Sequence, residues 1–176
     1  MPASNRTAEH PIDEQFTQRW SPRAFTDETI DKATLLSFFE AARWAPSAYN
    51  AQPWRFLYAL RGTPEFDRYL SLLVEFNQGW AKHAAALVVI VSKSTFAAPG
   101  TTEEKPAPTH AFDTGAAWGH LALQAHQRSV ADAIGDSWVL QCHGVFAIQT
   151  AALLRHAKIT AVFWKRSIKP IARHSI

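Results

Sequence analysis

Apolar residues recur at helical spacing in the first third of the chain, where they predict a long amphipathic helix. In TDETIDKATLLSFFEAARW, residues 26 to 44, the apolar positions fall on one face: Ile30, Leu35, Phe38, Phe39 and Ala42. We expect Thr26 or Asp27 to cap this helix, because acidic residues crowd its first turn, where the helix dipole favours them. Pro46 is placed to end it.

The following segments alternate between strand and helix patterns. WRFLYAL (Trp54–Leu60) predicts a strand, and PEFDRYLSLLVEF predicts a helix that begins at Pro64. AALVVIVS is a short, continuous apolar run, which is typical of a buried central strand. The segment from Thr95 to Thr109 is rich in Pro and Thr without periodicity and predicts an exposed loop. AFDTGAAWGHLALQAHQR then predicts a helix with small residues spaced along it.

The two ends of the chain are less regular. Residues 1–11 predict a loose polar arm, followed by a short helix near Ile12 to Gln18 and a bend at Pro22. After Arg128 the periodicity weakens, although VFAIQTAALLRHA favours a helix and ITAVFW a strand. We interpret residues 12–176 as a single domain, in which residues 129–176 form an atypical C-terminal region.

Composition narrows the class of protein. A chain of 176 residues with 47% hydrophobic and 19% charged residues is typical of one globular domain and not of a disordered chain. The net charge of +3 is mild, and only WKRSIKPIARH gathers basic residues, so we expect no nucleic-acid partner. No apolar run reaches the ~18 residues that span a bilayer, and the N-terminus has no signal-peptide core. A single cysteine, Cys142, excludes an internal disulfide. These features predict a cytoplasmic protein without a membrane partner.

Several common catalytic and binding motifs are absent from the sequence. The eight histidines are scattered, and Cys142 lies beside His143 only, so we expect no metal site. The GxSxG, GxxxxGK[ST] and GxGxxG patterns do not occur, which argues against a nucleophile elbow, a phosphate-binding P-loop and a doubly wound dinucleotide fold.

Two polar segments carry the candidate chemistry, and the first is QRWSPRAF. Arg19, Ser21 and Arg23 alternate, so an extended backbone would direct all three side chains to one side. Two guanidinium groups and a hydroxyl can hold a phosphate through bidentate hydrogen bonds. The alternative is a solvated loop with two ordinary surface arginines.

The second polar segment, APSAYNAQPW, follows the predicted long helix. Asn50 and Gln52 each offer a donor and an acceptor that can read the edge of a heteroaromatic ring, and Ser47 adds a hydroxyl. Pro46 and Pro53 limit the entropy that is lost when these groups are held in place. The alternative is an Asx-type turn that only ends the helix.

Together the two segments, in this order, resemble the FMN-dependent nitroreductase family, with its RxSxRxF and APSxxNxQPW signatures. FNQGWAKHAAALVVIVS and AFDTGAAWGHLALQAH are similar to later family blocks, so the resemblance covers about Phe16 to His126. It implies an α+β fold of three layers, with a mixed central sheet flanked by helices. It also implies a homodimer with two FMN sites at the subunit interface.

The resemblance also implies roles for individual residues. Arg19, Ser21 and Arg23 would hold the FMN phosphate and ribityl chain, with Trp20 between them at a position where members vary. The residues expected around the isoalloxazine are Pro46, Ser47 and Asn50 from the partner subunit, Gln52 nearby, and Asn77. The implied reaction is ping-pong: NADH or NADPH reduces FMN, leaves, and a nitroaromatic or quinone-like acceptor takes the electrons. No catalytic acid or base is assigned, because the cofactor carries the chemistry.

The segment after Arg128 departs from the family pattern. It shows neither the glycine-aromatic turn nor the late basic residue that family members have there. Two other functions therefore stay open. One is a degenerate family member with weak or no FMN binding that acts as a non-catalytic binding protein. The other keeps FMN but changes the reaction, since relatives also include dehalogenating and flavin-fragmenting enzymes.

Overall fold

The computed structural model of the chain describes residues 6–19, 25 and 28–131. Helices and strands are interspersed along them, and a 3₁₀ turn, Ala48–Asn50, joins the second helix to the first strand. The elements are α1 (Glu14–Gln18), α2 (Lys32–Arg43), β1 (Trp54–Leu60), α3 (Pro64–Ser71), α4 (Glu75–Ala81), β2 (Ala86–Ser92), β3 (Thr95–Ala97), β4 (Glu104–Pro106) and α5 (His110–Ala131). The helix and strand expected in VFAIQTAALLRHA and ITAVFW lie outside the described residues, as does the bend expected at Pro22.

Strands β1 and β2 pair antiparallel, in a register that places Trp54 opposite Ser92 and Leu60 opposite Ala86. Successive side chains of a strand point to opposite faces of a sheet. Val88 and Ile90 face the main core, while the intervening Val89 is also buried. This burial on both faces confirms the prediction of a buried strand in AALVVIVS.

The main core lies where α2 and α5 pack against each other and against the β1–β2 pair. Its largest fully buried side chains are Leu35, Phe38 and Phe39 of α2 and Leu121 of α5. Phe39 stacks on Phe56 of β1, with ring centroids 5.0 Å apart and an interplanar angle of 6°. The apolar face that the sequence predicts for α2 is thus the face that is buried, since Ile30 and Ala42 are buried as well.

Helix α2 begins later than the sequence pattern predicts. Its N-cap is Asp31, whose carboxylate accepts from the Thr34 backbone N–H at 2.9 Å and from the Thr34 hydroxyl at 2.6 Å. The prediction that Thr26 or Asp27 caps this helix is therefore wrong, and no acidic residue lies in its first turn. Asp31 prevails because it satisfies a backbone donor directly and adds a second bond to the same residue.

The segment PEFDRYLSLLVEF is two helices and not one. Helix α3 begins at Pro64 as predicted, with Thr63 as its cap, but it ends at Ser71, and α4 begins at Glu75. Between them the chain turns so that Leu73 is buried while Val74 is exposed. The Gln78 side-chain amide donates to the Leu73 carbonyl at 2.7 Å, which satisfies an acceptor that the break leaves outside both helices.

The segment from Thr95 to Thr109, predicted as an exposed loop, contains the hairpin β3–β4. Phe96 lies opposite Lys105 in this pair, and Gly100, with φ 78°, supplies the left-handed residue of the connection. The Lys93 ammonium and the Glu104 carboxylate, 2.6 Å apart, close the base of the hairpin. Proline at the end of β4 is tolerated because this is a short edge strand.

Candidate functional site

The turn between α2 and β1 holds three non-glycine residues in the left-handed region. Tyr49, Asn50 and Gln52 have φ values of 54°, 50° and 46°. Asparagine adopts this conformation readily, whereas tyrosine and glutamine do so at a cost of about 1–2 kcal/mol each. Strained backbone of this kind clusters at ligand sites and persists where surrounding contacts enforce it.

Two hydrogen bonds within the turn enforce its shape. The Asn50 N–H donates to the Ser47 carbonyl at 3.0 Å, and the Ser47 hydroxyl accepts from the Gln52 N–H at 3.1 Å. Ser47 therefore bonds to both ends of the turn and does not simply end the preceding helix.

Asp113 of α5 fixes the turn to the rest of the fold. Its Oδ2 accepts from the Ala48 backbone N–H at 3.2 Å and from the Thr109 hydroxyl at 3.0 Å, and its side chain is buried. Ala48 and Asp113 are 65 positions apart. Sequence reasoning placed Asp113 in a helix motif without a role at the site. The signal in the sequence that could have identified Asp113 is a carboxylate at the otherwise apolar start of that helix. A buried charge needs an ion-pair or hydrogen-bond partner, so such a carboxylate indicates a bond to another segment.

Two side-chain amides lie together on the turn. The Gln52 Nε2 donates to the Asn50 Oδ1 at 2.9 Å. Within the part of the chain that the structure describes, the Asn50 side-chain N–H₂ and the Gln52 side-chain oxygen Oε1 have no hydrogen-bond partner. Asn50 is exposed and Gln52 is half-buried. The pair thus presents one donor group and one acceptor to a ligand, the combination that matches the edge of a heteroaromatic ring.

Arg55 follows this turn, at the second position of β1. Its Nη1 donates to the backbone carbonyl of Gln52 at 2.9 Å and to the backbone carbonyl of Trp54 at 2.7 Å. Burial lowers the pKa of the Arg55 guanidinium, which stays charged because an arginine titrates so far above neutrality. Arg55 thereby holds the left-handed Gln52 in place with a charged donor, a contribution that the sequence analysis did not identify.

A second hydrogen-bonded chain joins β2 to α5 beside the turn. The Thr114 hydroxyl donates to the Ser92 Oγ at 3.1 Å, and the Ser92 hydroxyl lies 2.6 Å from the His110 Nδ1. Ser92 of β2 thus bonds to two residues of α5. This chain fixes the start of α5, and with it Asp113, against the strand that pairs with Trp54.

The predicted site residues are only partly brought together. Ser47, Asn50 and Gln52 share one hydrogen-bonded turn, which the exposed Pro46 precedes. Asn77 lies in α4, where its Oδ1 accepts from the Trp80 indole N–H at 3.2 Å.

On the phosphate side, Arg19 is half-buried and follows α1, where its backbone N–H donates to the Gln15 carbonyl at 3.0 Å. Trp20, Ser21 and Arg23 lie outside the described residues. The roles of all these residues towards a cofactor therefore stay predictions.

Two further features bear on the class of site. Among residues 6–19, 25 and 28–131, no group of three His, Cys, Asp or Glu side chains is arranged to hold a metal ion. In the same residues, no helix combines the length and the apolar character needed to cross a membrane.

Comparison with known proteins identifies the fold and its relatives. The model of the nitroreductase family matches residues 16–131. A Streptomyces coelicolor protein with the provisional name NADH dehydrogenase/NAD(P)H nitroreductase is 43% identical over 76 residues. That match spans 43% of this chain and 36% of the relative's length, so the chain matches about a third of that protein.

Solved structures extend the similarity. One, described as an oxidoreductase containing FMN, is 41% identical, with a TM-score of 0.66, and the match covers 78% of this chain and 76% of that one. A provisionally named nitroreductase from Desulfovibrio desulfuricans, in complex with FMN, is 25% identical with a TM-score of 0.53, covering 69% of this chain and 66% of that one. These neighbours confirm the predicted α+β fold.

Proposed function

Because the chain belongs to the nitroreductase family, as its motifs predicted, we propose that it is an FMN-dependent oxidoreductase. It passes electrons from NADH or NADPH through FMN to nitroaromatic or quinone-like acceptors. The observation that carries the proposal is the strained turn with its paired Asn50 and Gln52 amides. Two FMN-containing structural neighbours support the choice of cofactor.

The chemistry of the donor set fits a flavin. Asn50 offers an amide N–H₂ and Gln52 an amide oxygen, and their mutual hydrogen bond leaves these groups available. The flavin ring edge alternates donors and acceptors, so an amide pair of fixed geometry can bind it in one orientation. Arg19, Ser21 and Arg23 would hold the phosphate and ribityl chain, since guanidinium groups bind phosphate oxygens bidentately.

The protein's part in the reaction is binding and orientation. When bound, FMN supplies two-electron chemistry, accepting a hydride from the reduced nicotinamide and passing two electrons to the acceptor. A quinone also needs two protons to become a hydroquinone, and we assign their supply to the hydride donor and solvent. Donor and acceptor would use the same face in turn, so we expect ping-pong kinetics with parallel lines in double-reciprocal plots.

We further propose a homodimer with FMN at the subunit interface. Helix α5 begins with an exposed apolar surface, in which Phe112 is 81% exposed and a Cβ added at Gly115 would meet nothing within 4 Å among the described residues beyond its own helix. A second copy would bury this surface, since large exposed apolar groups of this kind mark interaction sites. The single cysteine supports a cytoplasmic location.

The test of the function is an absorbance spectrum of the purified protein, with its size in solution and its consumption of NADH and NADPH. We expect flavin bands, a dimer, and turnover with a naphthoquinone or a nitroaromatic acceptor. A colourless protein that takes up no FMN on titration and consumes neither nicotinamide would refute the proposal.

The amide pair has its own test. Asn50→Gly keeps the left-handed backbone without strain and removes the amide, so the turn is retained. We expect a shifted flavin reduction potential or slower hydride transfer, whereas Arg68→Ala, an exposed change on α3, leaves both unaltered. A loss of FMN affinity alone, with an unchanged potential, would count against the ring-reading role.

A second candidate function is a non-catalytic binding protein derived from this family. The observation that favours it is that the family match ends at residue 131, so that residues 132–176 lie beyond it. This function predicts a folded protein with weak or absent flavin absorbance in the experiment above. Stoichiometric FMN and steady turnover would exclude it.

A further inference from the structure

An exposed aromatic pair lies next to the amides of the candidate site. The rings of Tyr49 and Phe96 stack with their centroids 5.7 Å apart and an interplanar angle of 11°. Tyr49 is 81% exposed, while Phe96 of β3 is half-buried. Phe96 lies against one face of the Tyr49 ring. The other face is open to solvent, because most of the Tyr49 side chain is exposed.

The backbone of Tyr49 is strained at the point where it positions this ring. Tyr49 has φ 54° and ψ 21°, a conformation that tyrosine adopts rarely. Burial of the side chain does not compensate for that strain, because most of the ring is exposed. Hydrogen bonds within the turn, together with the bond from the Ala48 N–H to the buried Asp113, hold the strained backbone instead. Backbone strain at a residue whose side chain is mostly exposed is typical of a ligand-binding position.

The supporting ring is equally well fixed. Phe96 belongs to the β3–β4 hairpin, which the Lys93–Glu104 ion pair closes at 2.6 Å. The Lys93 backbone N–H donates to the Pro53 carbonyl at 2.8 Å, so the hairpin base is tied to the end of the turn that carries Tyr49. A surface whose parts are already ordered loses little entropy when it binds a ligand.

The chemistry of this surface selects the ligand. A phenol ring is electron-rich, and its open face attracts the ring of a planar, electron-poor aromatic compound in an offset stack. Nitroaromatic compounds and quinones have such rings. We propose that the Tyr49–Phe96 pair is the stacking platform for the electron acceptor and selects planar, electron-poor rings, an inference that rests on the oxidoreductase function proposed above.

The test compares acceptors that do and do not stack. Tyr49→Asn removes the ring but suits the left-handed backbone, Tyr49→Phe keeps the ring, and Phe96→Leu removes the support. With 2-methyl-1,4-naphthoquinone we expect the KM to rise about threefold to tenfold in Tyr49→Asn and Phe96→Leu, the factor that corresponds to an aromatic stack. Tyr49→Phe should resemble the wild type. With ferricyanide, which has no ring, all variants should have the wild-type KM.

A binding measurement separates this inference from the proposed function. Calorimetric titration with 4-nitrobenzoate needs no turnover, and we expect weaker binding to Tyr49→Asn than to the wild type. If the wild type lacks FMN and turnover, the oxidoreductase function fails, while this difference in binding still supports the platform. Equal 4-nitrobenzoate affinities, or equal changes in KM for quinone and ferricyanide, would overturn the platform. Circular dichroism and thermal unfolding verify that each variant is folded.

Discussion

Removing the Asp113 carboxylate should release the turn that carries Tyr49, Asn50 and Gln52. In Asp113→Ala, the Ala48 N–H and the Thr109 hydroxyl lose the acceptor to which they donate at 3.2 and 3.0 Å. Helix α5 itself should persist, since its core residues are unaffected. The change is therefore local and acts on the position of the turn.

The size of the expected loss of stability follows from two opposing contributions, the lost hydrogen bonds and the relieved backbone strain. A hydrogen bond to a charged acceptor contributes about 1.5–3 kcal/mol. Ala48 and Thr109 are exposed, so water replaces part of what each donor loses. Once released, Tyr49 and Gln52 can also leave the left-handed region, which returns about 1–2 kcal/mol each. We therefore expect the free energy of unfolding to fall by only about 1–3 kcal/mol, together with weaker FMN binding.

Two variants separate the possible causes. Asp113→Asn keeps an uncharged acceptor, and a neutral hydrogen bond contributes about 0.5–1.5 kcal/mol, so its effect should be smaller. Thr109→Val removes the other donor and leaves the bond to Ala48 intact. Of the three variants, Asp113→Ala should lower the stability most.

The assays are urea unfolding and amide hydrogen exchange at Ala48. We expect faster exchange of the Ala48 amide in Asp113→Ala than in Thr109→Val. The reasoning would be refuted if Ala48 exchanged at the wild-type rate in Asp113→Ala, or if Thr109→Val destabilised the protein as much.

Three other changes test the cofactor site, the α2 cap and the core. Arg19→Ala or Arg23→Ala should weaken FMN binding by about 1.5–3 kcal/mol in fluorescence titrations, and unchanged affinity in both would remove the phosphate assignment. Hydrogen bonds from Thr34 lower the pKa of the Asp31 carboxyl below its ordinary 3.8. The ionised cap therefore stabilises the folded protein above pH 3.8, and this stabilisation is lost as the pH falls through the folded pKa. Asp31→Asn should thus show a shallower loss of stability than the wild type in acid unfolding below about pH 4. Leu121→Ala, at a fully buried position, should cost about 2–5 kcal/mol in urea unfolding, and a loss under 1 kcal/mol would contradict its place in the core.

Local patterns were enough to predict the elements that pack into the core. The apolar face of α2 and the continuous run of β2 are buried, because a spacing that matches a helix or a strand leaves one consistent way to hide those side chains. The cap of α2 was predicted wrongly because Thr26, Asp27 and Asp31 are all suitable residue types. Which of them caps the helix depends on where the chain enters it.

The hydrogen-bonded turn of the candidate site was predictable only where its polar groups are local in sequence. Ser47, Asn50 and Gln52 were identified because amides and a hydroxyl between two prolines are unusual for a helix end. Asp113 was not, since its bond to Ala48 exists only after α5 packs beside α2. The stacking of Tyr49 on Phe96 likewise needs the β3–β4 hairpin, which was predicted as a loop.

The distance along the chain between Ala48 and Asp113 has a consequence for synthesis in the cell. The turn leaves the ribosome 65 residues before the carboxylate that fixes it. At typical elongation rates this delay is about 3–13 s. During that time the nascent chain lacks the bond from the Ala48 N–H to Asp113, and the turn is held by its own hydrogen bonds and by Arg55. The turn therefore gains this anchor to the rest of the fold only once α5 has been synthesised.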